Sequence, residues 1–462
     1  MSAGTTMKFH KVVVANRGAV AARVIRALRQ MGIASVAVYS EADRHLPYVA
    51  QADEAHAIGP ADPRASYLNQ EAILAVVQKT GADAVHPGYG FLSENHAFAS
   101  EVQRRGAVFI GPSPRWIEAM GHKTRARELM ARHGAPMCQS TGVLQGTPDE
   151  MLAQAASIGF PVLVKPAGGG GGIGMLAAHD RAQLAKAIEQ ARSMAQRSFA
   201  NADIYVERLC TRPRHIEFQI LADRHGAVRH LFERDCSIQR RHQKVLEESP
   251  APQLPRALLD ATAARFTDVL AQLPYDVIGT VETLYEEELG FSFLEMNTRL
   301  QVEHAVTEEI TGVDLVQSQI RLAAGEALAA VIPHQPAIDG HAIEARVYAE
   351  DPVRFFPSPG TLGTFVPPAG PGIRVETGYA AGNEVTPYYD PMLAKVIAHA
   401  PTREAAIRKL SDALSAFEIQ GVKTNIPFVQ RILAFEDFAA GRVHTGQAND
   451  LLFSNPSKES KK

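Results

Sequence analysis

Five consecutive glycines, Gly168, Gly169, Gly170, Gly171 and Gly172, follow an apolar run that carries Lys165, in VLVKPAGGGGGIGM (162–175). Backbone without Cβ atoms can approach a ligand closely and aim its N–H groups at phosphate oxygens. The run also holds a degenerate G-x-G-x-x-G at Gly169, Gly171 and Gly174. A dinucleotide fingerprint, however, must open a helix directly after its glycines. Here MLAAHD follows and reads as extended. Strand, glycine loop and strand describe a flap over phosphates; a plain linker would leave the adjoining lysine and apolar strand unexplained. No Walker A sequence occurs, because GHKT (121–124) lacks the G-K-[ST] junction.

A second stretch is FSFLEMNTRLQVEH (291–304). Period-two counting puts Phe293, Glu295, Asn297, Arg299, Gln301 and Glu303 on one side of a strand and Leu294, Met296, Thr298, Leu300 and Val302 on the other. An ordinary sheet with one wet face would give the same pattern. Upstream, GTVETLYEE (279–287) offers Glu282. If the two strands pair, Glu282 and Glu295 meet on one face. Two carboxylates and the Asn297 amide oxygen suit hard Mg²⁺ ions that also hold triphosphate oxygens.

The third stretch, RDCSIQRRHQK (234–244), gathers five cationic or potentially cationic side chains in eleven residues. Such loops are commonly just solvated. No aromatic residue interleaves with the charges, which argues against a base-stacking platform. Beside a glycine flap and a metal site, anion binding is the stronger reading. His215, Glu217 and Gln219 also share one face of their strand.

These residues need a scaffold. The chain has 462 residues, 46% of them hydrophobic, enough for two or three domains with cores. Charged residues are 21% and the net charge is −3, which fits neither a disordered chain nor one steered to nucleic acid. Cys138, Cys210 and Cys236 show no C-x-x-C spacing, so no disulfide framework or structural zinc is expected. With no secretory h-region and no long apolar run, the expectation is a cytoplasmic protein that spans no membrane. Apolar runs at 11–16, 35–40, 84–86 and 108–111 alternate with helical segments, one of which turns Val20, Val24, Ile25 and Leu28 to one face. Strand–helix–strand repetition of this kind predicts a parallel sheet. From about 215 the pattern becomes hairpin-like, with HIEFQILADRHGAVRHLFERD alternating strictly. A helix over 254–273, strands near 279–285, 291–298, 341–349, 361–366 and 392–399, and a last helix from Thr402 follow. The reading is α/β: a parallel first domain over 1–112, linker helices over 113–137, a small glycine-flap lid over 138–207 and a larger, mostly antiparallel domain over 208–462.

Taken together, ANRG (15–18), HPGYGFLSEN (86–95), MGHK (120–123), KPAGGGGGIGM (165–175), RHIEFQ (214–219), ERDCSIQRRHQKVLEE (233–248), FLEMNTRLQVEH (293–304) and YYDPMLAK (388–395) resemble the biotin carboxylase family of the ATP-grasp superfamily. The resemblance runs from about residue 8 to about 450. It implies that Lys123 and Lys165 bind ATP phosphates under the flap Gly168–Gly172, with Met175, Glu207, Leu209, His215, Gln239, His242 and Leu284 around the nucleotide. It implies Mg²⁺ or Mn²⁺ at Glu282, Glu295 and Asn297. Bicarbonate would lie among Lys244, Arg299, Gln301, Val302 and Glu303, with Glu303 as base, and Arg346 would face the biotin ureido oxygen. Lys244, Arg299, Glu303 and Arg346 form the implied catalytic set.

Departures are Ile173 where relatives often carry arginine, Cys210 where they often carry leucine, Ala305 for a usual proline, Ala19 for a usual glutamate and Gln30 where some place an acidic dimer contact. The sequence contains no Met-Lys-Met stretch, so biotin is expected on a separate carrier protein, with carboxyltransferase subunits as further partners, and a homodimer is expected by analogy. Two other functions share parts of the pattern: another ATP-grasp carboxylate–amine or –thiol ligase, and a non-catalytic nucleotide-binding regulator. The first does not need RLQVEH, QRRHQK or Arg346; the second does not need Lys244, Glu303 and Arg346 together.

Overall fold

The computed structural model describes residues 8–167, 174–199 and 202–453. The expected flap glycines Gly168–Gly172, and Ile173, lie outside the described residues. The chain divides into two compact units: the stretches up to 126, 214–282 and from 295 onward in one, and 127–213 with 283–294 in the other.

The larger unit begins with a five-stranded parallel sheet in the order Glu54–Ala57, Ala34–Tyr39, Lys11–Val14, Ala84–His86, Val108–Phe109. Its central strands are Val- and Ala-rich and buried on both faces, as parallel strands covered by helices must be. The helix Gly18–Gln30 buries Val20, Val24, Ile25 and Leu28, the face given by its period. The strand order reverses beside Lys11–Val14, the place where open α/β sheets usually bind dinucleotides. Here that crevice is bridged from within: Asn16 Nδ2 donates to the carbonyls of Pro87 and Tyr89, both at 2.7 Å.

An eight-stranded sheet follows in the order Gly290–Asn297, Val277–Glu286, Arg214–Ala222, Val228–Arg240, Gln243–Ser249, His341–Tyr348, Met392–Ala400, Ile373–Thr377. The registers defined within it are antiparallel. The hairpin expected over 215–235 forms, but every residue of Arg214–Ala222 is buried. Its polar face is covered, not wet. Arg240 pairs with Gln243, and Arg241 and His242 both have positive φ, 51° and 66°. That is the two-residue turn whose twist suits a tight hairpin, and it carries Lys244 back beside Gln239.

Three boundaries differ from expectation. The strand expected near 291–298 is Gly290–Asn297, so the period-two count, carried on to Glu303, runs past its end, and Glu303 precedes the helix His304–Thr311. The segment expected over 361–366 is two short strands, Gly360–Thr361 and Thr364–Val366, in separate two-stranded sheets, split at Gly363. The helix from Thr402 stops at Ser415, because Phe417 turns inward against Phe365 (ring centroids 5.2 Å apart) and Glu418–Gln420 pairs with Thr364–Val366. It is not the last helix, since among the described residues Ile426–Leu433 and two shorter ones follow.

In the smaller unit the strand Val162–Pro166 lies between Leu176–Ala178 and Ile204–Arg208. The extended reading of MLAAHD holds at Leu176–Ala178.

Candidate active site

Four neighbouring strands of the large sheet and the segment after Asn297 bring their polar residues to one buried cluster. Glu217 and Arg234 are direct cross-strand partners. Arg234 is fully buried and its guanidinium is satisfied by Glu217 (2.5 Å), Gln219 (2.8 Å), Thr307 (2.9 Å) and Thr280 (3.2 Å). A buried cation is tolerated only when paired and hydrogen-bonded in this way. Lys244, 12% exposed, donates to three carboxylates: Glu217 at 2.6 Å, Glu303 at 2.6 Å and Glu282 at 2.9 Å.

Glu303 sits between two cations. Its Oε1 accepts from Lys244, and its Oε2 accepts from Arg346 Nη2 at 3.0 Å. Burial alone would raise its carboxyl pKa; Lys244, then Arg346 and Arg234, hold it well below the usual carboxylate range. The buried Lys244 ammonium is likewise held well above its ordinary value by the thiol and carboxylates around it. The result is an ionised carboxylate beside an ionised lysine.

Arg346 is steadied from its other side by Glu247, which accepts from Nε at 2.6 Å. Glu247 lies directly across from Glu344, and burial pushes their carboxyls up to about 7 and about 8. Arg299 is held by Glu94 (Nε to Oε2, 3.0 Å), Asn297 Oδ1 (2.9 Å) and Gln301 Oε1 (2.6 Å). Val302 contributes a backbone carbonyl that accepts from Lys395 Nζ.

Glu282 Oε1 accepts from Lys244, Asn297 Nδ2 (2.8 Å) and Gln301 Nε2 (3.2 Å), while Oε2 faces His215 Nε2 at 3.1 Å. Burial raises its carboxyl, but Lys244 and His215 outweigh that and hold it well below normal. His215 Nδ1 meets Gln239 Nε2 at 2.7 Å. Glu295 does not share these partners; its Oε2 pairs with Lys123 at 2.7 Å. His242 is exposed at the hairpin turn.

The smaller unit carries its own polar pair. Leu163 pairs with Glu207 and Lys165 with Tyr205, which puts Lys165 and Glu207 on one face as diagonal neighbours. They form a close ion pair, and Arg127 adds a second cation to Glu207 at 2.6 Å. Leu209 donates its N–H to Pro161 O at 2.9 Å; Leu284 is half-buried and Met175 exposed.

Sequence reasoning missed the residues that orient the cluster: Arg234 as an individual role, Glu217 beneath Lys244, Glu247 behind Arg346 and Glu94 behind Arg299. Each lies in a motif already singled out, but its partner is a strand or a domain away.

Three family models cover most of the chain. "Biotin carboxylase, N-terminal domain" matches residues 8–117, "Carbamoyl-phosphate synthase L chain, ATP binding domain" 122–331 and "Biotin carboxylase C-terminal domain" 344–449. A curated biotin carboxylase of Halalkalibacterium halodurans is 47% identical over 444 residues, 96% of this chain and 98% of the relative. The chain belongs to the biotin carboxylase family. A biotin carboxylase of Bacillus subtilis is 46% identical over 95% of this chain and 98% of its own. A solved dimer of the biotin carboxylase domain of Hydrogenobacter thermophilus 2-oxoglutarate carboxylase, in complex with MgADP, ADP and bicarbonate, matches with a TM-score of 0.87 at 42% identity over 98% of this chain and all of that one. Biotin carboxylases are ATP-dependent ligases that carry out the first half-reaction of biotin-dependent carboxylation, and the α/β ATP-grasp architecture of this chain is theirs.

Proposed function

We propose that this chain uses ATP and bicarbonate to carboxylate biotin held on a separate carrier protein, with Lys244, Arg299, Glu303 and Arg346 as its catalytic residues. The observation that carries the assignment is Glu303 clamped between Lys244 and Arg346. A carboxylate ionised through the neutral range is a base awaiting a proton donor, and the two cations are placed to receive anions.

Bicarbonate takes up contacts with Lys244, Arg299, Gln301 and the Val302 backbone, and Glu303 removes its proton. The resulting dianion attacks the γ-phosphate of ATP, the bond to the β–γ bridging oxygen breaks and ADP leaves, and the carboxyphosphate formed yields CO₂ and phosphate. The phosphate takes a proton from the ureido nitrogen of biotin, and Arg346 stabilises the enolate oxygen until carbon dioxide is captured. Lys123 and Lys165 neutralise phosphate charge, with the flap Gly168–Gly172 and Met175 excluding water. Glu207, Leu209, His215, Gln239, His242 and Leu284 form the nucleotide surroundings.

Glu282, Glu295 and Asn297 would hold Mg²⁺ or Mn²⁺. The donor set is all oxygen, as these ions prefer, and each carboxylate now rests on a lysine. The ion would supply charge neutralisation on the triphosphate.

Relatives of matched length support the separate carrier, and the dimeric solved relative supports a homodimer. Carrier protein and carboxyltransferase subunits are the proposed partners, and the cytoplasm the proposed compartment. Among the described residues no helix is long and apolar enough to cross a membrane. The final acceptor, an acyl-CoA such as acetyl-CoA or a keto acid, is chosen by the carboxyltransferase.

The test is ATP hydrolysis with Mg²⁺ and bicarbonate, with and without free biotin. Biotin-stimulated ADP release is expected. Equal turnover on a panel of carboxylates and amines, without bicarbonate, would favour another ATP-grasp ligase.

A further inference from the structure

The backbone between the strand Gly290–Asn297 and the helix His304–Thr311 carries Arg299, Gln301, Val302 and Glu303, yet it belongs to neither element. Side chains hold its carbonyls. Arg299 Nη1 donates to Leu300 O at 3.1 Å, His304 Nδ1 to Gln301 O at 2.8 Å, and Lys395 Nζ to Val302 O. The first two donors are local. Lys395 reaches in from the strand Met392–Ala400, 93 residues away in the chain. Val302 directly precedes the helix N-cap Glu303. A helix ladder takes its first carbonyl from the N-cap, so the Val302 oxygen needs a partner from elsewhere.

The sheet places Lys395 for that contact. It is fully buried, and it is the direct cross-strand partner of Arg346 on one side and of Glu376 on the other. The three side chains therefore share one face of the sheet. The ammonium meets Glu376 Oε2 at 2.9 Å and Glu344 Oε2 at 3.5 Å. Burial would lower its pKa; Glu344 and Glu376 outweigh burial and hold it above its ordinary value. Glu376 has other cations: Arg374 forms a close ion pair with it, and Arg26 lies at 3.2 Å. Neutralising Glu376 therefore does not account for Lys395, whereas the Val302 carbonyl does.

We propose that Lys395 is a positioning residue for bicarbonate: by holding the Val302 carbonyl it fixes the peptide that joins Val302 to Glu303. This rests on the bicarbonate role proposed above for Gln301, Val302 and Glu303. A carbonyl oxygen turned toward an anion repels it, and an N–H attracts it. In a planar trans peptide the two point in opposite directions. An ammonium that captures the Val302 oxygen thereby sets how the Glu303 N–H and side chain are presented. Lys395 acts through Val302 and needs no contact with bicarbonate or ATP.

The test compares Lys395→Met and Glu376→Gln in the full-length protein. Lys395→Met keeps most of the side-chain length and removes the donor and its charge. Glu344, whose carboxyl is already pushed up to about 8, can take a proton in its place. Glu376→Gln removes one ion pair and leaves the Val302 bond. In bicarbonate-dependent ADP release, Lys395→Met should lower kcat/KM for bicarbonate about tenfold or more, with the KM for ATP within about twofold of wild type. Glu376→Gln should leave kcat/KM for bicarbonate near wild type, even where it lowers Tm. Hydrogen–deuterium exchange across 298–304 should be faster in Lys395→Met than in Glu376→Gln. Equal losses in the two variants, or a fall in ATP use as large as that in bicarbonate use, overturn the positioning role. Should Lys395→Met fail to fold, Lys395→Arg takes its place: its longer, forked group shifts the carbonyl, and an unchanged kcat/KM for bicarbonate overturns the proposal. If wild type shows no bicarbonate-dependent ADP release, the proposed function fails, and exchange across 298–304 still decides whether Lys395 holds the segment.

Discussion

Glu303→Gln separates the chemistry of the cluster from its architecture. The substitution keeps the side-chain volume and removes the charge. Glu303 now accepts from Lys244 at 2.6 Å and from Arg346 at 3.0 Å. A glutamine amide has one acceptor oxygen, so one of the two cations must face an NH₂ group. Neither cation is stranded, because Lys244 keeps Glu217 and Glu282 and Arg346 keeps Glu247. The stability cost is therefore that of one charge-assisted hydrogen bond, roughly 1.5–3 kcal/mol, and the enzyme stays folded. The rate should suffer more, since a positioned general base contributes about 10²–10⁴-fold. Stopped assays of ADP release at saturating ATP and bicarbonate should show kcat reduced by about that factor, with the Kd for ATP, from titration calorimetry, close to wild type. A kcat near wild type would refute Glu303 as the base. A large loss of ATP affinity instead would mean that the cluster supports the nucleotide site and not proton removal. The sign of the pH effect follows from the depressed carboxyl. The stability contributed by Glu303 is present above its unfolded value near 4.5 and lost as pH falls through its lower folded value. Glu303→Gln should therefore be less acid-sensitive than wild type, and the acid limb of the wild-type rate profile should belong to a different group.

Arg346→Ala should reduce biotin carboxylation more than bicarbonate-dependent ATP hydrolysis; equal losses would place Arg346 at an earlier step. Glu282→Gln should raise the Mg²⁺ concentration needed for half-maximal turnover, and an unchanged Mg²⁺ dependence would remove Glu282 from the metal set. Burial, opposed by Lys395 and reinforced by Glu247, pushes the Glu344 carboxyl up to about 8. A raised folded pKa contributes stability that is fully present below about 4.5 and lost as pH rises through about 8. Thermal melts should therefore show Tm falling less from pH 6 to pH 9 in Glu344→Gln than in wild type; parallel slopes would exclude Glu344 as the source.

How far the sequence could be read is seen at 291–304. Period-two counting grouped Asn297, Arg299, Gln301 and Glu303, and the structure does bring them together, although the strand ends at Asn297. Beyond that point alternate residues stay together because Arg299 bonds the side chains of Asn297 and Gln301, two positions away on either side. The parallel sheet and the face of Gly18–Gln30 were legible for a simpler reason: both are set by local apolar spacing. The two strands expected to bring Glu282 and Glu295 to one face are neighbours in the large sheet, and there Glu282 pairs with Lys244 and Glu295 with Lys123.

Pairing across the large sheet was not legible. Lys244 finds Glu217 at a separation of 27 residues, Arg346 finds Glu247 at 99 and Arg299 finds Glu94 at 205. Alternation says which residues share a face of one strand, but it carries no register between strands and does not say what covers the face. For Arg214–Ala222 the alternation puts His215, Glu217 and Gln219 on one face, and the structure buries that face along with the other. Covering such a face requires counter-charges, and Arg234 and Lys244 provide them. A polar face hidden from water and neutralised by exchangeable ion pairs is therefore the physical signature of this site. In the proposed mechanism Lys244 would release a carboxylate to take an anion, and Glu303, freed from one of the two cations it now meets, would become more basic at the step assigned to it.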